Sequence, residues 1–271
     1  MAASLDGTNG LTFNDGTLMG SANSLGTRNI LFNADFRINQ RVYVSAATLA
    51  AGAYGHDRFK AGASGGDYSF TQLASSTQVT IASGKSLIQV VEDKNVVGGS
   101  YVLSWTGTAL ARVGVNSATP SGTFVVSPVL ITGQTAGTTM SVEFNAGTLN
   151  TAQLELGTVA TPFERRPVGL ELALCQRYFQ LNLPAMGYST STVNISLIVA
   201  VTKMRTTPTF TLANGTNAVL DFGVAIRNIS SPGSLNDGSP TGGRIDTIIT
   251  STTSLKAHFL VGGVFTLTAE L

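Results

Sequence analysis

The chain is poor in the residues from which reactive centres are usually built. Its 271 residues include one cysteine, two histidines and one tryptophan, and only 11% of them are charged. The lone Cys175 excludes an intrachain disulfide framework, so stability must come from packing and association. His56, His258 and that cysteine fall at no metal-ligand spacing, and a structural zinc needs about four ligands. No dense Asp/Asn run marks a calcium site, which takes about six or more oxygens. No metal and no cofactor is expected. Lys+Arg 16 against Asp+Glu 15 leaves a formal net charge of +1, so no basic field exists to hold nucleic acid by counterion release. No apolar run reaches the roughly 18–20 residues of a spanning helix, so membrane insertion is not expected. The opening MAASLDGTNG lacks a basic and then apolar signal pattern, so export by a signal peptide is not expected either. Gly-x-Ser-x-Gly elbows and glycine-rich phosphate loops before a helix are also missing.

What is present is β-structure. A hydrophobic fraction of 43% supports a real core. Charge lies far below the ~25% of an average soluble domain, so the surface is built from Thr, Ser, Asn, Gln and Gly. Such a surface tends to associate. From Asn29 to about Phe163, short alternating strands recur between glycine-rich turns. In YVLSW, Tyr101, Leu103 and Trp105 share one face; GDYSFTQL, SLIQVVED, TFVVSPVLI, TMSVEF and AQLEL read similarly. This spacing predicts an all-β antiparallel sandwich, for which a jelly roll is the commonest construction from about eight strands.

Four segments are expected. Residues 1–27 read as an arm, with a hairpin signal in LTFNDGTLMG around Asn14-Asp15-Gly16; a lone hairpin is marginal in water and needs a partner. Residues 28–166 are the sandwich, and its exit at Arg165-Arg166 is expected at the surface. Residues 167–183 hold one short α-helix of about three turns, opened by Pro167 and by Glu171 near its positive end. Its apolar stripe combines Leu170, Leu174 and Tyr178 with Leu172, Cys175 and Phe179. Residues 184–271 form a second β domain, with Ser231 to Gly243 read as a long polar loop. The helix is expected to join the two β domains and to pack under one of them.

Several pieces in order resemble a module of tailed-phage virion proteins, mostly tail-fibre or receptor-binding subunits. They are NILFNADFRINQR; YGHDRFKAGASGG with its Tyr-x-x-Asp-Arg-aromatic segment; YVLSWTGTALARV; VEFNAGTLNTAQLELGTVATPFERRP; GLELALCQRYF; and KMRTTPTFTL. LTFNDGT is similar to short β repeats near the particle-bound ends of phage fibres. The resemblance spans roughly Asn29 to Leu212. It implies a carbohydrate-binding-module-like jelly roll, a homotrimer, and placement on the virion after synthesis in the host cytoplasm. It also implies attachment to other tail or capsid proteins through the arm, and contact of the distal C-terminal part with host cell-surface glycan. An architectural capsid or tail protein without a ligand, and a glycan depolymerase, are the alternatives.

Candidate sites are few. Tyr54 and His56, in a glycine-flanked loop expected to be exposed, and Asn236 and Asp237, in the distal loop, are candidate glycan contacts; all four also suit ordinary loop or turn packing. Trp105 alternates with core positions and reads as packing. His258, in LKAHFLV, reads as a satisfied strand histidine. Cys175 on the helix stripe reads as an inert thiol. A glycoside hydrolase needs two carboxylates about 5–10 Å apart. Asp67, Glu92, Asp93, Glu143 and Glu155 are available; Glu92-Asp93-Lys94-Asn95 reads as a strand-end turn, and Glu155 matches a surface position of the resembled family. Enzymatic activity is not expected.

Overall fold

A computed structural model describes residues 4–6, 10–12, 18–19, 27–181, 185–212, 218–221, 225–249, 257–261 and 265–271. Strands dominate it: β1 (Ser4–Asp6), β2 (Gly10–Thr12), β3 (Leu18–Met19), β4 (Lys60–Ala61), β5 (Tyr68–Gln72), β6 (Thr77–Ile81), β7 (Leu87–Val91), β8 (Gly99–Gly107), β9 (Ala111–Gly114), β10 (Ser121–Val125), β11 (Val129–Gln134), β12 (Met140–Phe144) and β13 (Gly147–Leu156) precede the helix α1 (Val168–Gln176). After it come β14 (Phe179–Leu181), β15 (Ala185–Ser189), β16 (Asn194–Ala200), β17 (Thr209–Leu212), β18 (Ala218–Asp221), β19 (Ala225–Ser239), β20 (Gly242–Ile249), β21 (Ala257–Val261) and β22 (Phe265–Thr268). The chain divides into two compact units. Unit 1 takes Met1–Arg37, Val44–Gly55 and Phe59–Arg166; unit 2 takes Ile38–Tyr43, His56–Arg58 and Pro167–Leu271. The helix therefore clusters with the C-terminal strands, together with two short pieces from the first third of the chain.

Unit 1 is an antiparallel sandwich of two five-stranded sheets, in the orders β10-β9-β12-β7-β4 and β11-β8-β13-β6-β5. From β4 to β13 the chain passes repeatedly between the sheets, as a jelly roll does, so each strand turns one face inward. That inward face is the apolar phase of the sequence. Tyr101, Leu103 and Trp105 are buried, as their alternation predicts. The Trp105 indole N–H donates to the Ala109 carbonyl at 2.7 Å, and its ring meets Phe144 edge-on at 5.5 Å. Phe36 stacks on Phe59 at 4.3 Å. The arm contributes a separate three-stranded sheet, β1-β2-β3. The hairpin expected there is the β2–β3 pair, and its Asn14-Asp15-Gly16 turn lies outside the described residues.

Several residues that carry the family resemblance serve this sandwich as internal staples. Asn29 donates from Nδ2 to the Ala152 carbonyl at 2.9 Å and accepts from the Leu31 and Leu154 N–H groups at 3.1 Å each. Arg166 was expected at the surface; it is buried instead, because it donates to the Leu31 carbonyl at 3.1 Å and also to that of Asn29. Glu155, expected at the surface, is also buried, taking the Thr161 N–H and the Gln153 amide at 2.8 Å each. The large majority of buried polar groups in proteins are bonded in this way.

Unit 2 has a three-stranded sheet, β14-β22-β17, and six strands, β15-β16-β20-β19-β18-β21, whose antiparallel pairing closes on itself. Ala185, Ile195, Leu197, Val199, Met204, Ile245, Leu267 and Ala269 form its core. Two expectations change. Ser231 to Gly243 is no loop: β19 runs through Ser239 and β20 starts at Gly242. Its pairing with β20 slips at Ser231/Ser234 and at Asn236/Ser239, so Pro232-Gly233 and Asp237-Gly238 sit in irregularities that tolerate them. The helix buries Glu171 and Cys175, while Leu170 and Val168 are exposed. Among the described residues no helix is long and apolar enough to cross a membrane.

Candidate functional site

The Tyr-x-x-Asp-Arg segment builds a closed charge cluster in unit 2. Asp57 accepts from the Gln40 backbone N–H at 2.7 Å, the Gln40 side-chain amide at 2.8 Å and Arg41 Nη1 at 3.3 Å. Arg41 Nη2 reaches Glu270 Oε1 at 3.0 Å, and Arg58 Nη1 bonds Glu270 Oε2. The Arg41 guanidinium lies 3.7 Å from the Phe179 ring centre and that of Arg58 3.6 Å from the Tyr178 ring centre. Burial raises the Asp57 pKa, opposed by Arg41 and the Gln40 bonds. Perturbed carboxyls often mark active sites. Asp57, however, is bonded to Arg41 and Gln40, and none of the four charged residues of the cluster lines either of the two cavities described below. The cluster is a structural tie.

The other predicted residues are dispersed. His56, expected to be exposed, is only 2% exposed, and burial lowers its pKa to about 4. Tyr54 is half-buried and forms a bridge with Lys60. Asn236 and Asp237 lie on β19, with Asn236 opposite Arg244 of β20. The His258 backbone lies on β21. Cys175 is fully buried, and burial pushes its thiol pKa well up. Of the carboxylates, Asp67 binds the Leu49 N–H at 2.7 Å and Lys85 at 3.5 Å, and the Leu49 bond leads in holding its pKa down. Glu143 is bonded to Ser86 and Arg112, each at 2.6 Å. Among the described residues no group of three or more His, Cys, Asp or Glu could hold a metal.

Each unit has a cavity among its described residues. The larger, about 550 Å³, is a groove across β15, β16 and β20 of unit 2, walled by Tyr188, Asn194, Ser196, Arg244, Asp246 and Ile248. Strand alternation puts these side chains on the face opposite Ile195, Leu197 and Ile245. Register places Tyr188 beside Ser196 and Ser196 beside Asp246. The Ser196 hydroxyl donates to Asp246 at 2.5 Å, and Arg244 Nε bridges both Asp246 oxygens at 3.1 Å. Tyr188 is 53% exposed. The floor depends on Gly187, where a Cβ would fall 1.8 Å from the Ser196 carbonyl oxygen. An exposed aromatic next to fixed donors and acceptors can stack on a sugar ring and pair with its hydroxyls. The sequence reading missed this groove. Its signal was present: Met186, Tyr188 and Ile198 are apolar in the phase that should be polar.

The smaller cavity, about 290 Å³, lies in unit 1 between Ala63, Ser64, Lys85, Arg112, Phe124 and Asn145. Glu143 forms part of its lining.

No family model matches the chain, and no curated protein matches it significantly. Two solved structures of discoidin II from Dictyostelium discoideum, one of the wild-type protein and one of the native recombinant protein, align over 90% of this chain and over 92% and 94% of theirs. Identity is 9% and the TM-score 0.22 for both, a likeness too slight to carry any argument.

Proposed function

We propose that the protein is a non-enzymatic, tail-fibre-like subunit of a tailed-phage virion that recognises host-surface glycan through the groove of unit 2. The observation that carries this reading is the groove itself: exposed Tyr188 beside the fixed Arg244–Asp246–Ser196 set, on strands whose opposite face is core. A sugar ring lies on Tyr188, and its hydroxyls, each both donor and acceptor, exchange with Arg244, Asp246 and Asn194. One such contact is weak. Copies assembled as a homotrimer on one particle raise avidity by ~10²–10⁴, and the low-charge surface favours that association. The arm of residues 1–27 anchors the subunit to other tail or capsid proteins. His56, nearly sealed from solvent, offers no surface to a sugar, whereas Asn236 stands next to Arg244 in the pairing.

A bacterial-surface glycan array with purified protein tests this. Wild type should give hits, Tyr188→Ala should weaken them at least tenfold, and recovered glycans should keep their length. Hits unchanged in the variant, or shortened glycan, would refute the reading.

A further inference from the structure

We infer that the cleft on unit 1 binds the carboxylate of an acidic sugar residue, with Arg112 as its anchor. This extends glycan recognition to a second site and stands independently of the groove on unit 2.

Arg112, on β9, is fixed before any ligand arrives. Its Nε donates to Glu143 Oε2 at 2.6 Å, Nη1 reaches the Gly122 carbonyl at 3.4 Å, and the guanidinium lies over Phe124 at 4.6 Å. A guanidinium has five N–H groups. Three of those on Arg112 have no protein partner among the described residues, and its side chain is 30% exposed. Asn145 is oriented by the Leu110 N–H, which its Oδ1 accepts at 2.8 Å, so its NH₂, which has no protein partner among the described residues, is a donor too. Lys85 adds an ammonium held by the Ser64 carbonyl at 2.9 Å and by Asp67 at 3.5 Å. The obvious acceptor, Glu143, is buried and has both oxygens engaged, one by Ser86 and one by Arg112. The wall therefore offers donors in surplus. That composition selects an oxyanion, and a planar carboxylate fits the free edge of a guanidinium bidentately.

Shape supports a single sugar ring. The volume of about 290 Å³ lies near the lower end for small-molecule sites. Phe124, Ala63 and Ala146 supply apolar wall beside the donors. The AGASGG turn keeps this wall tight. A Cβ at Gly62 would fall 2.0 Å from Ser86 Oγ and 2.9 Å from Glu143 Oε1, so only glycine leaves the Ser86–Glu143–Arg112 chain undisturbed. The glycines after the Tyr-x-x-Asp-Arg-aromatic segment thereby gain a role in forming this cleft.

Ligand-observed NMR titration of the full chain tests the inference with methyl glucuronide and methyl glucoside, which differ only in the carboxylate. The glucuronide should bind at least tenfold more tightly. Arg112→Lys keeps a cation for Glu143 but loses the planar fork, and should weaken glucuronide binding about tenfold. Ala63→Phe narrows the cleft with Arg112 and Glu143 still in the chain and should abolish binding, while Tyr188→Ala should leave it unchanged. Equal binding of the two sugars, wild-type affinity in Ala63→Phe, or displacement of the glucuronide by equimolar sodium sulfate would overturn the proposal. A loss caused by Tyr188→Ala alone would overturn it in favour of the groove on unit 2.

Discussion

Replacing Glu270 by Gln removes one negative charge from a cluster that holds the buried Arg58 and the half-buried Arg41. The Glu270 side chain is 6% exposed and its partner Arg58 2% exposed, and Arg41 shares the same carboxylate at 3.0 Å. With Glu270 neutral, one carboxylate fewer opposes the two guanidiniums that it joins. Removing one partner of a buried pair costs about 3–5 kcal/mol, because the remaining charge stays desolvated. The amide keeps the shape and some hydrogen bonding, so the lower end, about 3 kcal/mol, applies. In a domain of about 100 residues each kcal/mol moves Tm by roughly 4–8 °C, so unit 2 should melt roughly 12–24 °C earlier. Differential scanning calorimetry of the whole chain measures this, and the transition of unit 1 should not move. In a double-mutant cycle, Arg58→Met with Glu270→Gln should lose less than the sum of the single variants by more than about 1 kcal/mol. A loss below about 1 kcal/mol for Glu270→Gln, the range of exposed ion pairs, would refute the argument that this network is a buried tie.

Two further predictions concern titratable groups. The His56 pKa falls from 6.5 to about 4 on folding because burial penalises the imidazolium. The unfolded chain thus takes a proton that the folded one refuses, so this stability is complete above pH 6.5 and declines as pH falls towards 4, by about 3 kcal/mol in total. Asp57, raised by burial, acts in the opposite sense on acidification. The difference between wild type and His56→Gln in urea melts at pH 4 to 7 isolates the histidine, and identical pH slopes would contradict the assignment. Cys175, fully buried with a raised thiol pKa, should resist iodoacetamide at pH 8 in the native protein and react fully after denaturation. Rapid native labelling would show that the helix face is open.

Much of the sandwich was legible because several strands carry alternating apolar residues that are buried, as at Tyr101, Leu103 and Trp105, although β12 is buried on both faces and β10 on neither. The helix was legible as an element but not in its orientation. Val168, Leu170, Leu172 and Leu174 make it apolar all round, so spacing could not reveal that Glu171 and Cys175 face inward. β19 was misread because Pro232-Gly233 and Asp237-Gly238 carry turn chemistry, and only the pairing with β20 shows them absorbed in register shifts. Arg166 misled for a related reason: its partners are the carbonyls of Asn29 and Leu31, and backbone acceptors leave no mark in a side-chain pattern. Both cavities join residues far apart in the chain, such as Tyr188 with Asp246 and Lys85 with Arg112, and local spacing cannot place such pairs together.

Hydrogen–deuterium exchange of the full chain, with and without a neutral oligosaccharide from the array, tests glycan recognition by unit 2 most directly. The account predicts slowed exchange in residues 185–200 and 242–249, with little change in the sandwich. Unchanged exchange across those strands, with protection confined to unit 1, would contradict it.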